Sequence, residues 1–144
     1  MTGIFIALIS GALMSLQGVF NTEVTRQSSM WVSASWVQFS ALLTCLTIWA
    51  LFDRSSFSVL MKVSPRYVML GGIFGAFITY TVIQSMSALG PARSTMLIVI
   101  AQLTVSWVVE LFGAFGVEKG EFSVRKLLGL LIAAAGVILF EWEN

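Results

Sequence analysis

Five long apolar stretches separated by short polar punctuation organise this 144-residue chain. They cover residues 3–20, 31–52, 67–89, 92–115 and 124–140. A helix needs roughly 20 mainly apolar residues to cross the hydrocarbon of a bilayer, and each stretch meets or approaches that length. The fifth is short, with Arg125 and Lys126 placed to snorkel at its start. Residues 21–30 read as a polar connection. Residues 53–66 carry Asp53, Arg54, Lys62, Pro65 and Arg66, and residues 116–123 carry Glu118, Lys119, Gly120 and Glu121. Gly90-Pro91 breaks the chain between the third and fourth stretches, because proline lacks a backbone N–H and glycine tolerates unusual dihedrals. Residues 57–63 are amphipathic enough to lie on a membrane surface. The pattern predicts an all-α polytopic membrane protein: one five-helix transmembrane domain, with no soluble domain and no convincing internal repeat.

Composition requires lipid as the solvent. Hydrophobic residues make up 58% of the chain and charged residues only 10%, with a mean hydropathy of +0.93. Ordinary soluble domains carry about 25% charged residues. The net charge is +1 without a basic tract, which argues against nucleic acid as a partner. There is no His and a single Cys, Cys45. That excludes an intrachain disulfide framework, a zinc-type ligand cluster and any nucleophilic triad that needs His. No metal or cofactor is expected, and an enzyme is the least supported class. The start, Met1-Thr2-Gly3, has no basic n-region, so the first apolar stretch is expected to stay in the mature protein.

Loop charge sets an orientation. Arg54, Lys62, Arg66, Lys119, Arg125 and Lys126 fall on the side that bears the N-terminus, against only Arg26 and Arg93 on the other. Positive residues favour the cytoplasmic side. The N-terminus is therefore expected inside and the C-terminus outside, with Trp142 as an interfacial anchor.

Candidate chemistry lies in the polar residues inside the apolar stretches. In the fourth, Gln102, Ser106 and Glu110 are spaced i, i+4, i+8 and share one helical face. Glu110 is the only acid within any of the five stretches, and a charged residue in lipid is by default a functional-site hypothesis. Two readings of it stand side by side. It can face a water-filled cavity and bind a cation or exchange a proton. It can equally snorkel to the nearby interface or pair with Arg125 or Lys126. The first stretch places Ser10, Gln17 and Asn21 on one face, with Gly11 and Gly18 beside it allowing close approach of another helix. Gln38 in the second stretch, and the i, i+4 pair Tyr80 and Gln84 in the third, serve either a solute or simple helix-to-helix hydrogen bonding, worth about 0.6 kcal/mol on average. Gly71, Gly72 and Gly75 read as packing contacts. Trp36 and Trp107 lie deeper than interfacial tryptophans usually do, either filling the bundle or offering an aromatic face to a cation. Gly129, Ala133 and Gly136 form a small-residue side on the fifth stretch, which suits a dimer seam or an intramolecular contact.

Four segments carry a family resemblance. Residues 14–21, Met-Ser-Leu-Gln-Gly-Val-Phe-Asn, hold a Gln and an Asn four apart. Residues 71–77, Gly-Gly-Ile-Phe-Gly-Ala-Phe, supply third-helix glycines. Ala101-Gln102, followed by Glu110-Leu111-Phe112-Gly113, places an acid before Phe-Gly, where Asp is the expected acid. Residues 127–137, Leu-Leu-Gly-Leu-Leu-Ile-Ala-Ala-Ala-Gly-Val, match a final-helix pattern. In order and spacing these resemble the small five-helix bacterial branch of the drug/metabolite transporter superfamily. The resemblance is strongest from Gly71 to Phe140 and spans nearly the whole chain except the second loop.

The resemblance implies a half-size secondary transporter of small organic solutes in the cell inner membrane. Longer relatives join two inverted five-helix halves, so a single half needs a second copy or a paralogue in the opposite orientation. The loop-charge bias of six against two favours a separately encoded partner or a parallel assembly over an antiparallel homodimer. By the resemblance, Gln17, Asn21, Gln102 and Glu110 take solute-facing roles. Residue chemistry adds Gln38, Tyr80, Gln84, Ser106 and Trp107 as candidate solute contacts. Glu110 is the expected coupling or proton-carrying group. Two rival readings are a small passive channel and a non-transporting accessory membrane protein.

Overall fold

A computed structural model describes residues 2–141. Trp142, expected as an anchor, lies outside the described residues. Among those described, every regular element is helical: α1 (Thr2–Gln27), α2 (Met30–Ile48), α3 (Gly71–Leu89), α4 (Pro91–Phe112) and α5 (Val124–Glu141). In lipid this is the economical solution, because a helix satisfies its backbone polar groups within one segment. Four helical stretches are long and apolar enough to cross a membrane: Thr2–Gln27, Met30–Asp53, Arg66–Leu89 and Pro91–Phe112. The fifth helix spans 18 residues and carries Arg125, Lys126 and Glu141.

The chain divides into two compact units, Met1–Ala88 and Leu89–Asn144. In the first, α1 overturns the expected polar connection at residues 21–30. It runs unbroken to Gln27, because no Gly or Pro lies between Phe20 and Ser28 to stop it. Only Ser28 and Ser29 link it to α2, and the Ser29 hydroxyl accepts from the Val32 N–H at 3.3 Å to cap the new helix. Ser33 Oγ donates to the Asn21 carbonyl at 2.9 Å, tying α2 back onto α1. The buried residues here are Gly18, Asn21 and Thr22 on α1, Ser33 and Ala34 on α2, and Ile83 and Met86 on α3. Small and hydroxyl-bearing residues dominate this set. That fits association in lipid, where close packing and hydrogen bonds replace the hydrophobic drive between helices. Gly18 is the tightest point, with Met86 and Val82 of α3 against it. Gly11, expected to serve the same purpose, has nothing within 4 Å of the Cβ it lacks.

A short π-helical turn, Trp49–Asp53, ends α2, and 3-10 turns at Phe57–Lys62 and Arg66–Leu70 lead into α3. Phe57, Val59, Leu60 and Met61 are all exposed on the first of these 3-10 turns.

In the second unit, Gly90 adopts φ +81° and Pro91 opens α4 at its first turn, so the expected break holds. The fourth stretch stops at Phe112 rather than 115. Gly113 enters the left-handed region at φ +62°, and its N–H returns to the Glu110 and Val109 carbonyls. α4 then packs against α5.

Candidate functional site

Polar side chains gather at three places. The first is an open cleft of about 880 Å³ between α1 and α2. Gln17, Asn21, Glu23 and Gln27 line it from α1, and Trp36, Ser40, Thr44 and Cys45 from α2. The α1 residues form two i, i+4 pairs, Gln17 with Asn21 and Glu23 with Gln27, on an unbroken helix whose two sides flank the cleft. Asn21 is buried and Gln17 exposed. Glu23 Oε1 accepts a 2.9 Å hydrogen bond from Gln27 Nε2, and its Oε2 lies 3.5 Å from Arg26 Nη1. Sequence reasoning missed Glu23, because it fell in residues assigned to a loop. The available signal was the absence of Gly or Pro from Phe20 to Gln27, with Glu23 and Gln27 an i, i+4 pair.

The second place is a groove of about 350 Å³ between α4 and α5, lined by Leu103, Ser106, Trp107, Glu110, Lys126, Gly129 and Leu130. Lys126 Nζ lies 2.7 Å from Glu110 Oε2, and both side chains are about half exposed, 52% and 48%. Of the two readings of Glu110, the structure displays the ion-paired one, within a groove that also holds Ser106. The Glu110 backbone carbonyl receives the N–H groups of Gly113 at 3.2 Å and Gly120 at 2.8 Å. One residue therefore anchors the α4–α5 connection through both backbone and side chain. Trp107 packs on Phe122 with ring centroids 5.8 Å apart, and its indole N–H is buried with no hydrogen-bond partner among the described residues. Gln102 lies exposed on α4, outside the groove's lining.

The third place is the α2–α3 side of the first unit. Gln84 Nε2 donates to the Tyr80 hydroxyl at 3.0 Å, and Tyr80 stacks on Trp31 with centroids 5.1 Å apart. A Cβ at Gly75 would meet Gln38 Nε2 at 3.5 Å, so that glycine leaves room for the Gln38 side chain beside α3. Gln38, Tyr80 and Gln84 line neither cleft described above. On α5, nothing lies within 4 Å of a Cβ built at Gly129 or Gly136.

The nine candidate solute and coupling residues thus separate into groups: Gln17 with Asn21, Tyr80 with Gln84, and Ser106 with Trp107 and Glu110, with Gln38 and Gln102 apart.

A family model described as "Putative inner membrane exporter, YdcZ" matches residues 2–139. The chain belongs to this family. The match takes in all five helices and agrees with the drug/metabolite transporter resemblance. Neither a curated protein nor a solved structure matches the chain. The YdcZ family is described as an exporter family, of transporters rather than enzymes, and four apolar helices of crossing length agree with a multi-pass place in the inner membrane.

Proposed function

We propose that the chain is one half of a small-solute secondary transporter of the inner membrane. The observation that carries this reading is the cleft between α1 and α2 lined by Gln17, Asn21, Glu23 and Gln27, in a chain of an exporter family. Carboxamides and a carboxylate set among otherwise apolar membrane helices are costly unless they serve a solute or each other. Gln17 and Asn21 hydrogen-bond the solute there. Glu110 carries the exchangeable proton or counters the solute's charge. Its ion pair with Lys126 is the resting partner that a proton or solute must replace.

The proposal includes five spans, with the N-terminus cytoplasmic and the C-terminus outside. The 18 residues of α5 give about 27 Å at 1.5 Å per residue, close to the hydrocarbon thickness, with Arg125 and Lys126 snorkelling at one end. It also includes a dimer with an oppositely oriented copy or paralogue, working by alternating access. Open space beside Gly129 and Gly136, with the small side chain of Ala133 between them in sequence, supports a seam there.

The test is solute flux in proteoliposomes, comparing the wild type with Gln17→Ala, Asn21→Ala and Glu110→Gln. Glu110→Gln abolishes coupled flux while the dimer persists on size-exclusion chromatography. Unchanged flux in that variant removes Glu110 from the mechanism.

A further inference from the structure

The charge of the α1–α2 cleft points to a class of ligand. Glu23 is the only ionised side chain among its lining residues, and no Lys or Arg lines it. The lining therefore carries a single negative charge. Gln17 and Asn21 add amide oxygens, which accept from an N–H or O–H donor such as the choline hydroxyl. Phe20 and Trp36 add aromatic rings, and a ring face attracts a cation within about 6 Å. The volume, about 880 Å³, suits a small organic molecule rather than a bare ion.

Among the described residues, Arg26 is the charged group paired with Glu23, at 3.5 Å, with side chains 72% and 56% exposed. So exposed a pair holds at most about 1 kcal/mol, weak enough for an incoming cation to displace. Gln27 holds the other carboxylate oxygen in place.

We propose that the α1–α2 cleft binds a small organic cation, with the Glu23 carboxylate as its counter-charge and Trp36 as its aromatic wall. This names a substrate class for the transporter and rests on that reading for its biological use. The binding step stands by itself.

The probes are choline and its uncharged isostere 3,3-dimethylbutan-1-ol, titrated by calorimetry into the purified chain in nanodiscs. Choline binds and the isostere does not. Glu23→Gln weakens choline about fivefold, the fold-change of an exposed charge pair worth about 1 kcal/mol. Glu23→Asp keeps most of the affinity, which separates loss of charge from loss of fold. Trp36→Leu weakens choline about fivefold, the fold-change of about 1 kcal/mol of cation–π attraction. Equal binding of choline and the isostere, no choline binding, or an unaffected Glu23→Gln variant overturns the proposal. Flux in proteoliposomes separates the two claims. Movement of neutral or anionic solutes without choline binding keeps the transporter and overturns the cation site. Glu23-dependent choline binding without flux of any solute, with any co-purifying partner reconstituted alongside, keeps the site and removes the transporter.

Discussion

Replacing Gly18 with Ala puts one methyl group at the tightest helix contact in the first unit. The new Cβ would lie 2.5 Å from Met86 Cε, 2.7 Å from Met86 Sδ and 3.3 Å from Val82 Cγ1. The tip of a methionine is flexible, but Met86 is only 5% exposed and nearby Ile83 is 0% exposed, so the tip has little room to retreat. Overpacking of this kind costs about 1–3 kcal/mol. Against it stands the helix-propensity gain of Ala over Gly, about 1 kcal/mol. Gly11 supplies the control. It lies two turns earlier on α1 with nothing within 4 Å, so Gly11→Ala collects the propensity gain alone. The expected result is that Gly18→Ala is less stable than Gly11→Ala by about 1–3 kcal/mol. Reversible unfolding in mixed micelles, titrated with SDS and followed by circular dichroism, measures both. Adding Met86→Ala should remove the clash and show a coupling of about 0.5–3 kcal/mol in the double-mutant cycle. Equal stability of the two glycine variants would refute the close α1–α3 approach at Gly18.

Other consequences are open to simpler tests. Gly113→Ala forces a side chain into the left-handed region, with its Cβ 3.0 Å from Lys119 Cβ, and should cost at least about 1–2 kcal/mol in the same assay. The Glu110–Lys126 pair is half exposed, so the charge swap Glu110→Lys with Lys126→Glu should change stability by less than about 1 kcal/mol while abolishing coupled flux. In a Cys45→Ser background, an impermeant maleimide should label Ser58→Cys only from the cytoplasmic side and Ser28→Cys only from outside where the opposed half is a paralogue, and each site from both sides where it is a second copy. Gly136→Leu should abolish chemical crosslinking between copies or partners and leave helix content unchanged.

The helices were legible because lipid imposes a simple rule, and each apolar stretch became helical. The breaks were legible where backbone chemistry forces them, as at Gly90-Pro91. Boundaries failed where polarity was taken for irregularity. Asn21, Glu23 and Gln27 are polar but helix-compatible, and α1 continues through them to Gln27. At the other extreme, residues 113–115 are apolar enough to extend the fourth stretch, but Gly113 turns left-handed and ends it. The site was legible one helix at a time. Spacing placed Ser106 and Glu110 on one face of α4, and both line the groove against α5. It could not say that Lys126 would meet Glu110 rather than Arg125, because that depends on the rotation of α5 about its axis. Nor could it group Gln17 with Glu23, since the second residue had been assigned to a loop. Gln84 and Tyr80 satisfy each other within α3, an outcome their i, i+4 spacing allowed as readily as a solute contact.

The central claim, a half-transporter with a polar solute site, is tested most directly by solute-evoked currents. The chain, together with any partner that co-purifies, is reconstituted in liposomes and challenged with cations, amines, amino acids and sugars at two pH values. The account predicts a saturable current for one solute class, lost in Gln17→Ala and in Glu110→Gln. A current that rises without saturation, or one that both variants preserve, would contradict it.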